Sequence, residues 1–243
     1  MAQALVPLKD LVEAKTRLSG LLRPSERRAL AQAMVEDVLQ VLSSHPAVER
    51  ITLLSDDPGA HLLASRYGAD YWPETGFGCQ GLNPLLQRAS ERLLQRGGVP
   101  LLVLHGDLPL LQPRDVSAVL AVWQSQGGLV IGSDLHGSGT NLLAFDNAGM
   151  PPFQFGPDSC ALHLAAAREA GIHARVLQRE GIGLDVDEPP DLARLLSVLN
   201  RYPRTKTAKL LLDTALGARI GLALNSLPEA APRAGGPLRQ SIK

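Results

Sequence analysis

The stretch Val99-Pro100-Leu101-Leu102-Val103-Leu104-His105-Gly106-Asp107 decides the fold. Its unbroken apolar run, bounded by Gly98 and Gly106, reads as a central parallel strand with both faces covered. Upstream of it, residues 4–8, 50–55 and 69–72 also read as strands. The cluster Pro24, Ser25 and Glu26 opens a helix in which Leu30, Met34, Val38 and Leu42 recur every fourth residue. Helical spacing returns over 58–67, and over 84–95 through Leu85, Leu86, Ala89, Leu93 and Leu94, with Asn83 as cap and Pro84 at the first helical position. Downstream, Pro113 opens a helix with Val116, Val119, Leu120 and Trp123 as its buried stripe. Strands follow over 129–132 and 141–145, then a helix over 159–170, a strand over 174–177 and a helix over 189–200. Repeated β-α-β units of this kind predict a three-layer α/β/α domain around a mostly parallel, doubly wound sheet with right-handed crossovers. The consecutive strands within 129–145 supply an antiparallel element.

Composition agrees. A chain of 243 residues, 45% hydrophobic and 20% charged, is expected to fold around one sizeable core spanning residues 1–200. Residues 201–243, rich in Arg, Lys, Pro and Gly, read as a C-terminal extension, helical over 209–224 and disordered over its last dozen residues. Aromatic residues are 4% of the chain, so the core is built from aliphatic side chains. With 24 basic and 24 acidic residues the formal charge is zero, which gives no support to a nucleic-acid or membrane-surface partner. Cys79 and Cys160 have no CxxC spacing, which suits a reducing compartment and no zinc site. No signal-like apolar segment or membrane-length apolar run is present, so a cytoplasmic protein is expected. Oligomeric state stays open, a homodimer among the alternatives.

Ligands of open α/β sheets bind beyond the carboxyl ends of the strands. That rule selects three groups of residues. Asp107 follows the central strand, and Asp185 and Asp187 stand two apart, so that in an extended segment both carboxylates share a face while Val186 packs away. Three carboxylates at one sheet edge call for a cation, and Mg²⁺ prefers such hard oxygen ligands shared with phosphates. The alternative is that Asp185 and Asp187 precede and cap the helix at Pro189. Lys9, Lys15 and Arg17, with Thr16, follow the first strand and suit a polyphosphate, although a solvated basic face is the commoner fate of such residues. Phe155-Gly156-Pro157-Asp158-Ser159-Cys160 runs into a helix, where Gly156 permits close backbone approach and Ser159 meets free N–H groups, an anion site or a plain N-cap. Gly137-Ser138-Gly139-Thr140-Asn141 is a weaker glycine cluster, and Asn83 either caps its helix or holds a base or ribose. His105, His136 and His163 show no metal spacing. Walker A, GxGxxG and Gly-x-Ser-x-Gly patterns are missing, and neither cysteine has an evident base, which weakens ATPase, dinucleotide and acyl-transfer readings.

In order, the segments VPLK, AKTRL, GLN, HGDLPLL, GTNLL, FGPDS and GLDVDEPPDL resemble the motifs of the 2-phospho-L-lactate guanylyltransferase family of coenzyme F420 biosynthesis, over roughly residues 5–199. More distantly they resemble other nucleotidyltransferases of glycosyltransferase-A-like fold, including the molybdenum-cofactor guanylyltransferases. The resemblance implies transfer of GMP from GTP to 2-phospho-L-lactate, phosphoenolpyruvate or 3-phospho-D-glycerate, with release of pyrophosphate. It implies Mg²⁺ on Asp107, Asp185 and Asp187, the acceptor at Thr140, Gly156 and Ser159, the phosphates at Lys9, Lys15 and Arg17, and the nucleoside near Asn83. Lys9, Lys15 and Asp107 then carry catalysis. Gly106 departs from the family's commoner alanine. Two other readings remain at this stage: a nucleotidyltransferase for another acceptor, such as molybdopterin or a sugar phosphate, and a nucleotide-binding regulatory module without turnover.

Overall fold

The protein is seen in a computed structural model, which describes residues 1–11, 13–95 and 99–226. In chain order the elements are β1 (Ala2–Pro7), α1 (Pro24–Ser44), β2 (Val48–Leu54), α2 (Ala60–Arg66), β3 (Asp70–Trp72), α3 (Leu82–Leu94), β4 (Leu101–Leu104), α4 (Pro113–Gln126), β5 (Leu129–Ser133) and β6 (Thr140–Phe145). Then come α5 (Ser159–Glu169), β7 (Ala174–Leu177), α6 (Glu180–Gly183), α7 (Pro189–Val198), α8 (Lys206–Leu212) and α9 (Ala215–Asn225).

The strands form one seven-stranded sheet in the order β3-β2-β1-β4-β6-β5-β7. The apolar run of β4 is fourth in that order, and all four of its residues are buried. β1 lies parallel to β2 and β4, β2 to β3, and β5 to β7. Only β6 runs against its neighbours, pairing antiparallel with both β4 and β5. The cause is the short loop between β5 and β6: a parallel return needs a crossover of a dozen or more residues, and this loop is too short to hold one.

Side chains alternate between two apolar layers. Ala2, Ala4, Val6, Ile51, Leu53, Leu102 and Leu104 face one side, against Val35, Val38, Leu39 and Leu42 of α1 and Val116, Val119 and Leu120 of α4. Leu5, Leu54, Leu101, Val103, Leu143 and Phe145 face the other, against Leu85, Leu86, Ala89 and Leu93 of α3 and Cys160 and Ala167 of α5. A third cluster joins Leu18, Leu22, Leu30 and Met34 to Val186, Leu192, Leu195, Tyr202, Leu211 and Ile220, so α8 and α9 pack on the domain. Burial of side chains such as Leu211 and Ile220 contributes about 1.5–3 kcal/mol each. Asp37 of α1 adds a polar tether, accepting from Lys206 N at 2.6 Å and Thr207 N at 2.9 Å at the start of α8.

Three local expectations change. α3 starts at Leu82 behind Gly81, whose φ of 87° only glycine adopts readily, so Pro84 is its third residue and Asn83 does not cap it. The single helix expected over 209–224 is two, because Thr214 accepts from Leu216 N and starts a new helix there. α6 was not expected at all: four residues are too few to show a period. The expected disorder of the last dozen residues lies outside the described ones. Among the described residues no helix is long and apolar enough to cross a membrane.

Candidate active site

The carboxyl ends of β1 and β4 and the segment after α6 meet at one mouth. Val186 is buried in the third cluster, which leaves Asp185 and Asp187 half-exposed on the opposite side, as the i, i+2 spacing requires. Lys15 enters from the loop after β1. Its Nζ donates to Asp107 Oδ2 at 2.5 Å and to Asp187 Oδ1 at 2.7 Å, with the side chain only 8% exposed. Burial alone would lower the Lys15 pKa; Asp107 and Asp187 overcome it and hold the ammonium above the usual lysine range. Burial likewise raises Asp107, and Lys15 and then His105 reverse this, keeping the carboxylate ionised. Asp107 Oδ1 is buried with no hydrogen-bond partner. Asp185 goes the other way: burial, and then repulsion from Asp107, push it up to about 6, against the hydrogen bond from Asn141 Nδ2. The mouth therefore carries more negative charge than Lys15 alone neutralises.

The expected three-carboxylate cage is not preformed. Among the described residues no three His, Cys, Asp or Glu side chains are placed to hold a metal ion together. The reason is visible in the ion pairs, since the Lys15 ammonium stands between Asp107 and Asp187 where a shared cation would join them.

Two cavities meet here. A larger one of about 370 Å³ is lined by Lys9, Lys15, Thr16, Arg17, Asp107 and Asp187. A smaller one of about 210 Å³ is lined by Asp134, Gly139, Gly156, Asp158, Asp185 and Asp187. Arg17 and Asp187 belong to both, so they form the partition between them. Lys9 is exposed at the rim of the larger cavity, and the exposed Arg17 pairs with Glu188 at 3.1 Å.

The residues expected at the acceptor are placed differently from one another. Gly156 lines the smaller cavity with φ 141° and open space where a Cβ would stand. Thr140 and Ser159 lie one layer behind the wall, buried and bonded inward: Thr140 N donates to Ser159 Oγ at 2.8 Å, and Thr140 Oγ1 lies 3.0 Å from His163 Nδ1. His163 Nε2 accepts from Gln154 N at 3.0 Å, which fixes the ring proton on Nδ1. Burial pushes this imidazole down to about 4, against the pull of the Ser159 backbone, so it is neutral at pH 7. Asn83 also works on backbone. Its Nδ2 donates to Phe155 O at 3.0 Å and its Oδ1 accepts from Phe155 N at 2.8 Å, pinning the wall segment to α3. Sequence reasoning missed His163 and Asn141 as supports. The signal for His163 was its spacing of four from Ser159, one turn along α5. Asn141, which also donates to Ile182 O at 2.9 Å, carried no local signal.

Residues 2–210 match the family described as guanylyl transferase CofC like, ten residues beyond the expected domain boundary. The chain is 40% identical over 192 residues to the phosphoenolpyruvate guanylyltransferase of Rubrobacter xylanophilus, covering 79% of this chain and 92% of that one. It is 39% identical over 198 residues to that of Conexibacter woesei, covering 81% and 87%. Among solved structures, a protein assigned as a nucleotide-diphospho-sugar transferase from Desulfovibrio desulfuricans G20 superposes with a TM-score of 0.75 at 19% identity, over 90% of this chain and 96% of that one. At that identity the likeness speaks for the fold, which is the nucleotidyltransferase, glycosyltransferase-A-like arrangement expected from the motifs. With a sheet of this order, a lysine and aspartates gathered at its carboxyl edge, and matches of this extent, the chain belongs to the guanylyl transferase CofC-like family and is a nucleotidyltransferase.

Proposed function

We propose that this enzyme transfers GMP from GTP to the phosphate of phosphoenolpyruvate, releasing pyrophosphate, as a step of coenzyme F420 formation. One observation carries the reading. Arg17 and Asp187 form the partition between two cavities, with Lys15 and Asp107 on the side of the larger one beside Lys9, while the glycine-bearing wall lines the smaller. The larger suits the polyphosphate of the donor; the smaller has room for a three-carbon phosphorylated acid, whose charge its carboxylates would oppose unless a divalent cation and Arg17 offset them. The choice of phosphoenolpyruvate over the two other acceptors rests on the names of the relatives.

Mg²⁺ fits the mouth. The donor set is hard oxygen, Asp107 Oδ1 is buried and unpartnered, and Asp185 is raised by burial and then by the negative charge of Asp107 beside it. Asp107, Asp185 and Asp187 would hold the ion together with substrate phosphates, where it would neutralise charge at the α-phosphorus and the leaving pyrophosphate. The protein's own groups do the rest. Lys9, Lys15 and Arg17 bind and align the donor phosphates. Gly156 admits the acceptor to the wall, and Thr140, Ser159 and Asn83 keep that wall in place from behind. The attacking oxygen is already anionic, since a phosphate monoester has its second pKa at about 6. No general base is needed, in keeping with the buried, inward-bonded His163. The P–O bond forms at the α-phosphorus as the α–β bond breaks in line.

The test is pyrophosphate release from GTP with phosphoenolpyruvate, 2-phospho-L-lactate or 3-phospho-D-glycerate, each with and without Mg²⁺. Release should require Mg²⁺ and be fastest with phosphoenolpyruvate. Tight GTP binding without release on any of the three would leave a regulatory nucleotide-binding module as the better account.

A further inference from the structure

Lys15 is one of two described non-glycine residues with positive φ, at 57°, and its long side chain is buried rather than solvated. It bridges carboxylates that lie 92 and 172 residues away in sequence. Its ammonium sits between Asp107 Oδ2 and Asp187 Oδ1, so a divalent cation drawing these two carboxylates together would meet a like charge already there. The remaining oxygen of Asp107 has no partner. Lys15 also lines the larger cavity beside Lys9, Thr16 and Arg17, so an alternative anion for its ammonium would arrive through that cavity.

We infer that Lys15 is an exchangeable counterion: its ammonium occupies the cation position between Asp107 and Asp187 in the empty enzyme, and it moves onto the donor's phosphates when the metal enters. The inference rests on the divalent-metal reading above and adds an order to it. Without nucleotide, metal and ammonium compete for the same two carboxylates, so metal binds weakly. With nucleotide, the ammonium has phosphate oxygens to go to and the competition ends. Metal and nucleotide then bind with positive coupling, each strengthening the other by the same factor. Lys15 is in this account a positioning and charge-balancing residue before it is a phosphate ligand, and it offsets part of the negative charge of the mouth while no substrate is present.

The test follows the Lys15 amine directly in the wild-type protein. A short pulse of acetic anhydride, read by peptide mass spectrometry, should label exposed Lys9 and spare Lys15. Saturating Mn²⁺ alone should speed labelling of Lys15 by about tenfold or more while Lys9 is unchanged, and guanosine 5′-(α,β-methylene)triphosphate should slow it again. In parallel, Lys15→Met should bind Mn²⁺ without nucleotide about tenfold more tightly than wild type, read by electron paramagnetic resonance. If Mn²⁺ binds and Lys15 stays protected, the ammonium is a fixed structural cation and the inference is overturned. If wild type binds no Mn²⁺ with or without the nucleotide, the metal reading falls first and takes this inference with it.

Discussion

Acidification should destabilise the acceptor wall through one residue, His163. Its imidazole is held near 4, against an ordinary value of 6.5. Adding a proton to Nε2 would set an N–H against the Gln154 N–H that now donates to it. The unfolded chain therefore takes up a proton on this residue in the window between those values and the folded chain does not. Stability from His163 is fully present above pH 6.5 and is lost as pH falls through the window. From the two pKa values, the loss between pH 7 and pH 5 comes to about 2 kcal/mol. Asp185 works in the opposite sense: its folded pKa of about 6 lies above the usual carboxylate value, so acidification in the same range relieves it and stabilises the fold. A single titration would mix the two. The assay is urea unfolding of wild type and His163→Gln at both pH values, since glutamine keeps a donor and an acceptor without titrating. The variant should be weaker at pH 7, and the gap should shrink by about 2 kcal/mol at pH 5. Parallel behaviour of the two proteins would show that His163 does not hold its neutral form in the way described.

Three further outcomes follow from the same contacts. Asp107→Asn should lower kcat/KM by roughly 100-fold or more, since the interaction it serves is worth several kcal/mol, with a circular-dichroism spectrum like that of wild type. Normal turnover would remove Asp107 from the metal set. Asn83→Ala frees both backbone groups of Phe155 and should cost about 2 kcal/mol in stability, with a rise in KM for the acceptor larger than that for GTP. A rise larger for GTP than for the acceptor would place Asn83 at the nucleoside after all. Asp37→Ala should release the start of α8, seen as faster amide exchange at Lys206 and Thr207 with little change in β4.

Much of this protein was legible because burial and period leave marks in sequence. β4 announced itself as an apolar run, α1 as a four-residue repeat, and the Asp185–Asp187 pair as two carboxylates flanking a core valine. The direction of β6 followed from the length of one loop. What stayed hidden depends on partners far away in the chain. A lysine after a strand looks the same whether it is solvated or, like Lys15, buried between two aspartates. A threonine and a serine in glycine-rich motifs look like ligand contacts, yet the Ser159 hydroxyl accepts from Thr140 N and the Thr140 hydroxyl pairs with His163. Asn83 has every property of a cap, and only the left-handed Gly81 before it, which lets α3 start early, reassigns its amide to Phe155.

The left-handed backbone at Lys15 allows strain and ion pairing to be separated by two substitutions at one position. With φ 57° and ψ 38°, the residue sits where an L side chain costs about 1–2 kcal/mol relative to the right-handed region. That cost is borne by every residue with a Cβ and not by glycine. Lys15→Ala and Lys15→Gly both delete the ion pairs to Asp107 and Asp187, so their difference contains no electrostatic part. At an ordinary site the glycine variant is the weaker, by about 0.5–1 kcal/mol, because its unfolded chain is freer. Here relief of strain opposes that entropy and exceeds it, so Lys15→Gly should be the more stable of the two by roughly 0.5–1 kcal/mol in chemical unfolding. In this expectation the loop holds its φ with or without the ammonium, so that the ion pairs to the two aspartates offset a strain they do not create. If alanine proves the more stable variant, the backbone at residue 15 relaxes once the ion pairs are gone, and the left-handed turn is a consequence of the bridge and not a fixed feature of the loop.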